Sequence, residues 1–167
     1  LNLVKHSHMI IGLIGCGKMG SALTLGAINK GVFESRQVLA YDPVPETIAA
    51  LGRGILATAS LEEAIQGSDI LLLCVKPYQV DEILAKIPSL VDSPDKLLVI
   101  SIAAGVKIES MENSCNHKAR IVRTMPNTPA LVGEGAAAFA LGKKATDADA
   151  DFTKKLLGSI GIVYEMK

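Results

Sequence analysis

The chain has 167 residues, 49% of them apolar, and 17 Lys plus Arg stand against 17 Asp plus Glu for a formal net charge of zero. That balance argues against a general nucleic-acid or membrane surface, and no run reaches the roughly 18 apolar residues of a membrane span. The length suits one domain with a substantial core, and the apolar share suits a filled α/β interior rather than a disordered chain.

Residues 1–8, LNLVKHSH, lack an initiator Met and show no secretory signal, and Met9 reads as the natural start. They are expected to be an expression remnant, with His6 and His8 as tag residues. Met9 to Ile14 is a short apolar run broken only by Gly12, the composition of a strand buried on both faces of a parallel sheet. Gly15, Cys16, Gly17, Lys18, Met19 and Gly20 follow as a GxGxxG that ends the strand and opens a helix. The first glycine allows a tight turn, the second a close approach of pyrophosphate, and the third close packing of helix on strand. A helix carrying Leu23, Leu25 and Ile28 then stops at Asn29, Lys30 and Gly31, and its N-terminus presents N–H groups and a positive dipole end to a phosphate. Alone the motif is weak; between a buried strand and a capped helix it points to a dinucleotide.

Gln37 to Tyr41 is a second strand ending at Asp42, before a turn through Pro43 and Pro45. An acid here either accepts hydrogen bonds from the adenosine ribose and repels a 2′-phosphate, or simply starts the turn and caps a helix over Glu46 to Leu51. The first alternative favours NAD over NADP. Gly54 to Thr58 reads as a third strand, and Ser60 with Glu63 as a capping box for a helix to Gln66. Asp69 to Val75 has no polar residue past its first and belongs in the sheet centre. It runs into Lys76 and Pro77, where Lys76 either touches phosphate, ribose or a substrate carboxylate, or is solvated.

A helix over Tyr78 to Ile87 precedes a loop with Pro88, Pro94 and Asp95. Lys96 to Ile102 is a fifth strand, and Ala103, Ala104 and Gly105 form a small-residue exit with room for a flat ring. Lys107 to Asn113 is a modest helix, Ala119 to Thr124 a sixth strand, and Met125 to Pro129 a stiff polar loop. Ala136 to Leu141 reads as a strand, Asp147 to Leu157 as a helix begun by Thr146, and Gly161 to Glu165 as a last strand. Alternating strands and helices predict a Rossmann-like, doubly wound, mainly parallel sheet with helices on both faces, a three-layer αβα fold with right-handed crossovers.

Cys16, Cys74 and Cys115 are too widely spaced for a disulfide framework or a zinc module, so no metal is expected and a reducing, cytoplasmic setting is the default. Cys16 and Cys74 read as small packing residues at strand ends. His117 lies in a polar stretch and reads as solvated.

Four segments resemble the N-terminal domain of the pyrroline-5-carboxylate reductase family in order and spacing. They are IGCGKMG (Ile14 to Gly20), CVKP (Cys74 to Pro77), SIAAGV (Ser101 to Val106) and RTMPNTPALVGEG (Arg123 to Gly135). The last is the most diagnostic, because generic NAD-binding domains lack it. The resemblance implies NAD(P)H-dependent reduction of L-1-pyrroline-5-carboxylate to L-proline, in proline biosynthesis. It implies that the cofactor lies along Ile14, Gly15, Cys16, Gly17, Lys18, Met19 and Gly20, along Asp42, along Cys74, Val75, Lys76 and Pro77, and along Ile102, Ala103 and Ala104. Asn127 and Thr128 are candidates for contacts beside the nicotinamide, or stabilise their own loop; no residue is assigned as proton donor.

Family members often place Asn-Arg or Ser near the second strand's end, suited to a 2′-phosphate, and many accept both cofactors, whereas Asp42 and Pro43 stand here and lean toward NAD. The family continues into a helical domain that supplies substrate contacts and the homo-oligomer interface. Residues 9–167 are therefore expected to be the cofactor domain alone, weakly active or inactive by itself. Two other readings stay open: a β-hydroxyacid dehydrogenase-like reductase, which the Met125 to Gly135 segment argues against, and a non-enzymatic NAD(H)-binding or scaffold module.

Overall fold

A computed structural model describes residues 8–167; the expected expression remnant, His8 apart, lies outside the described residues. The first half lays down β1 (Ile11–Ile14), α1 (Lys18–Asn29), β2 (Val38–Tyr41), α2 (Pro45–Ala49), β3 (Leu56–Ala57), α3 (Leu61–Gln66), β4 (Ile70–Leu73) and α4 (Pro77–Leu90). The second half adds β5 (Leu98–Ser101), α5 (Ile108–Ser114), β6 (Arg120–Pro126), β7 (Gly135–Leu141), α6 (Asp147–Gly158) and β8 (Gly161–Met166). The eight strands form one sheet ordered β3-β2-β1-β4-β5-β6-β7-β8. β1 to β6 pair in parallel, β7 turns back antiparallel to β6, and β8 runs parallel to β7.

The strands at the centre are apolar on both faces because both faces are covered. Ile11 and Leu13 of β1, Ile70 and Leu72 of β4, and Leu98 and Ile100 of β5 pack toward α1 and α6. Ile14, Leu71, Leu73 and Val99 pack toward α3, α4 and α5. All are buried, and burial of each such side chain stabilises the fold by about 1.5–3 kcal/mol. The alternation follows from the two-residue period of a strand.

Sequence expectation and structure differ at four places. β3 has two residues rather than five, and both are exposed, so little burial holds this edge strand in the sheet. α4 continues through Pro88 to Leu90; the proline forfeits one helical bond, to the Leu84 carbonyl, and the helix ends two residues later. In the Met125–Pro129 loop, Met125 and Pro126 instead extend β6 by pairing with Ala138 and Ala137 of β7. A short 3₁₀ turn over Thr128–Val132 follows. At the start of α3, Ser60 Oγ accepts the Glu63 N–H at 3.2 Å, but the Glu63 carboxylate reaches back to the N–H of Ala59 rather than to that of Ser60.

Candidate functional site

The strand order reverses at β1, from which β2 leads one way and β4 the other. Such a switch point opens a crevice beyond the carboxyl ends of the strands. Here it is a cleft of about 740 Å³, within the size range of small-molecule sites. Its floor is the glycine turn and the start of α1: Ile14, Gly15, Gly17, Lys18, Met19 and Gly20. One wall is the end of β2, with Tyr41, Asp42 and Pro43. The other comprises Cys74 to Pro77 after β4 and Ile102, Ala103 and Ala104 after β5.

The exits from the strands are held in step by backbone bonds. Gly15 N–H donates to the Tyr41 carbonyl at 3.0 Å, Cys74 N–H to that of Ile14 at 2.8 Å, and Ile102 N–H to that of Leu73 at 3.1 Å.

The three glycines of the turn are needed for different reasons. Gly15 has a φ of +90°, and a Cβ there would lie 2.4 Å from the Cys74 carbonyl oxygen. At Gly20 a Cβ would lie 2.5 Å from the Gly15 carbonyl oxygen and 3.0 Å from Cys74 Cβ. Both are therefore fixed by the protein's own packing. Gly17 is not: its backbone is extended, and a Cβ would meet nothing within 4 Å. The space in front of Gly17 belongs to the cleft, as expected where a ligand must approach the backbone.

Charge points the same way. Helix N-termini favour acids, and α2, α3, α5 and α6 each carry at least one in the first turn. α1 and α4, which both open onto the cleft, have none. They carry Lys18 and Lys76 instead, both exposed and without an ion-pair partner among the described residues. The first N–H groups of α1 have no intrahelical acceptor, and Gly17 offers them no side-chain cap. Two positive helix ends and two unpaired lysines make the cleft mouth suited to an anion of diphosphate type.

Every residue expected along the cofactor lines this cleft except Cys16, which is buried behind the turn with its N–H donated to Asp42 Oδ2 at 2.8 Å. That amide is therefore not free to hold a phosphate. Asn127 and Thr128 do not line the cleft. Asn127 Oδ1 instead accepts the Ala136 N–H at 2.9 Å, bracing its own loop.

Tyr41, Pro43, Leu61, Gln79, Glu82 and Ile83 also line it. The last three lie on one face of α4 at helical spacing, a signal present in the sequence once α4 is known to start at the cleft. Among the described residues no group of three or more His, Cys, Asp or Glu could hold a metal ion, and no helix is long and apolar enough to cross a membrane.

Burial, and then the Asp42 carboxylate, pushes the Cys16 thiol up to about 12; burial, and then Cys16, does the same for Cys74. Both thiols are neutral near pH 7, and Cys16 donates to the Tyr41 carbonyl at 3.8 Å, so neither is an activated nucleophile. In the unfolded chain these thiols ionise near 9.0, whereas the folded protein holds their protons. Stability is therefore expected to fall as pH rises above 9.0, by up to about 1.4 kcal/mol per thiol per pH unit. Urea midpoints measured across this range test it: the slope should flatten in a Cys16→Ala, Cys74→Ala double variant, and an unchanged slope refutes it.

An open, mainly parallel sheet with a glycine turn feeding a helix at its switch point defines a Rossmann-like NAD(P)-binding fold. The chain belongs to the family described as NADP oxidoreductase, coenzyme F420-dependent, whose model it matches over residues 10–105. It is 36% identical over 156 residues to the pyrroline-5-carboxylate reductase of Pisum sativum, covering 93% of this chain and 56% of that protein. With the Escherichia coli K12 pyrroline-5-carboxylate reductase it shares 42% identity over 127 residues, 75% of this chain and 46% of the relative. The chain thus spans about half the length of these relatives. The structure of Plasmodium falciparum pyrroline carboxylate reductase with NADP bound superposes with a TM-score of 0.83 at 30% identity, covering 95% of this chain and 58% of that one.

Proposed function

We propose that residues 9–167 are the cofactor domain of a pyrroline-5-carboxylate reductase, holding NAD(P)H in the cleft between β2 and β5. The observation that carries the reading is Gly17, whose missing side chain serves nothing inside the protein and leaves the turn open before two positive helix ends. The kinship with pyrroline-5-carboxylate reductases supports the choice of substrate.

In this reading the cofactor supplies a hydride, which adds with a proton across the C=N bond of L-1-pyrroline-5-carboxylate to give L-proline. The protein's part here is positioning. Gly17 and the first N–H groups of α1 receive the diphosphate, Lys18 and Lys76 balance its charge, and Ala103 and Ala104 leave room for the ring. In this reading substrate contacts and the homo-oligomer interface come from the part of the relatives' length that this chain does not span, and the setting is cytoplasmic.

Asp42, on the wall where the adenosine ribose would lie, favours NADH over NADPH by repelling a 2′-phosphate. Calorimetric titration with both nucleotides tests the site: binding of neither refutes it. Asp42→Ser is expected to shift the affinity ratio toward NADPH by about tenfold, and an unchanged ratio removes Asp42 from the ribose contact. Turnover of pyrroline-5-carboxylate by a chain extended to the length of the relatives tests the reaction itself.

A further inference from the structure

The glycine turn is fastened to the end of β2 before any ligand is considered. Gly15 N–H and the Cys16 thiol both donate to the Tyr41 carbonyl, at 3.0 and 3.8 Å. Cys16 N–H donates to Asp42 Oδ2 at 2.8 Å, and the other oxygen of that carboxylate accepts the Val44 N–H, also at 2.8 Å. One side chain thus joins the middle of the glycine turn to the turn that leads into α2. On its opposite side the turn abuts the Cys74 carbonyl, so close that Gly15 admits no Cβ. The turn is clamped between β2 and β4, and Asp42 is the side-chain half of the clamp.

We propose that Asp42 is a positioning residue for the glycine turn: it holds Cys16 inward so that the N–H groups from Gly17 onward face the cleft, whichever nicotinamide nucleotide is bound. The assignment rests on the dinucleotide reading of the cleft but goes past the ribose contact suggested by an acid at this position. Without the carboxylate the Cys16 N–H loses its acceptor in a partly buried place, a loss that weakens the local structure. The turn then gains freedom that must be removed again on binding, so both nucleotides bind less well.

Selectivity becomes tied to the same bonds. A carboxylate held at both oxygens keeps its charge at the cleft wall, and it cannot swing aside for a 2′-phosphate without releasing Cys16.

The test combines amide hydrogen exchange of the ligand-free protein with NADH and NADPH affinities, for the native sequence, Asp42→Asn and Asp42→Ser. In the native protein the Cys16 N–H should be protected although it lies in a cleft turn. In Asp42→Ser Cys16 should exchange about tenfold faster or more, and in Asp42→Asn, which keeps one acceptor oxygen for two N–H groups, either Cys16 or Val44 should, with the β4 amides unchanged. Affinity for both nucleotides should fall, NADH by about tenfold or more and NADPH by less.

Three results overturn the proposal: an unprotected Cys16 N–H in the native protein, unaltered Cys16 exchange in Asp42→Ser, or NADPH bound more tightly by the variants than by the native protein. Should a variant fail to fold, native Cys16 exchange still decides. If the native protein binds neither nucleotide, the dinucleotide reading fails, while the exchange rates go on to judge the clamp separately.

Discussion

Gly17→Val is expected to lower the affinity for NADH and NADPH by about a hundredfold or more while leaving the fold intact. The two halves of this expectation come from one geometric fact. The Gly17 backbone is extended with φ −71°, which valine adopts readily, and among the described residues no atom beyond its chain neighbours lies within 4 Å of the Cβ that would be added. The new side chain therefore strains nothing inside the molecule. It occupies the space where a diphosphate would meet the N–H groups at the start of α1, and it keeps that ligand from hydrogen-bond distance. Calorimetry with a melting curve on the same sample separates the two halves. Undiminished binding takes Gly17 out of the site, and a collapsed melting temperature shows that the residue serves the fold after all.

Gly20→Val should do the reverse, disrupting the fold before it affects any ligand. Its Cβ would lie 2.5 Å from the Gly15 carbonyl oxygen, closer than real Cβ contacts come, and 3.0 Å from Cys74 Cβ, tighter than nearly all of them. Neither neighbour is the far end of a flexible chain, so α1 must move off the ends of β1 and β4. That motion would loosen Leu23 and Ala27, which are fully buried against the sheet. A loss of about 3 kcal/mol or more is expected, read as a lower urea midpoint. A midpoint within error of the native protein would mean that α1 tolerates the displacement, and the packing argument would be wrong.

The contrast between Gly17 and Gly20 marks how far a sequence can be read. The GxGxxG motif, its strand and its helix are legible because each rests on local rules: an apolar run, turn glycines and a cap. The central place of β4 is legible for the same reason, since ILLL has no polar residue to turn toward water. What is not legible depends on partners distant in sequence. Met125 and Pro126 look like loop residues until Ala138 and Ala137 arrive beside them.

Asp42 is visible as an acid at a strand end, but that its carboxylate takes the Cys16 N–H depends on β1 and β2 lying side by side. Asn127, in the most diagnostic segment of the chain, sits outside the cleft because its side chain is used by the Ala136 backbone. The cleft face of α4 was within reach. Gln79, Glu82 and Ile83 needed only the recognition that this helix begins where the strands end.

The reversal of direction between β6 and β7 has a practical side. Because β8 runs parallel to β7, it points opposite to β1 and away from the cleft end of the sheet, and through the register Met166 ends level with Ile14 but on the far edge strand. The start of β1 lies at the end of the sheet opposite the cleft. An affinity handle, a dye or a surface linkage just ahead of β1 would thus sit on the underside, and one after Met166 would leave from the edge strand in the direction away from the cleft, so that either leaves the nucleotide entrance unobstructed for immobilised binding assays.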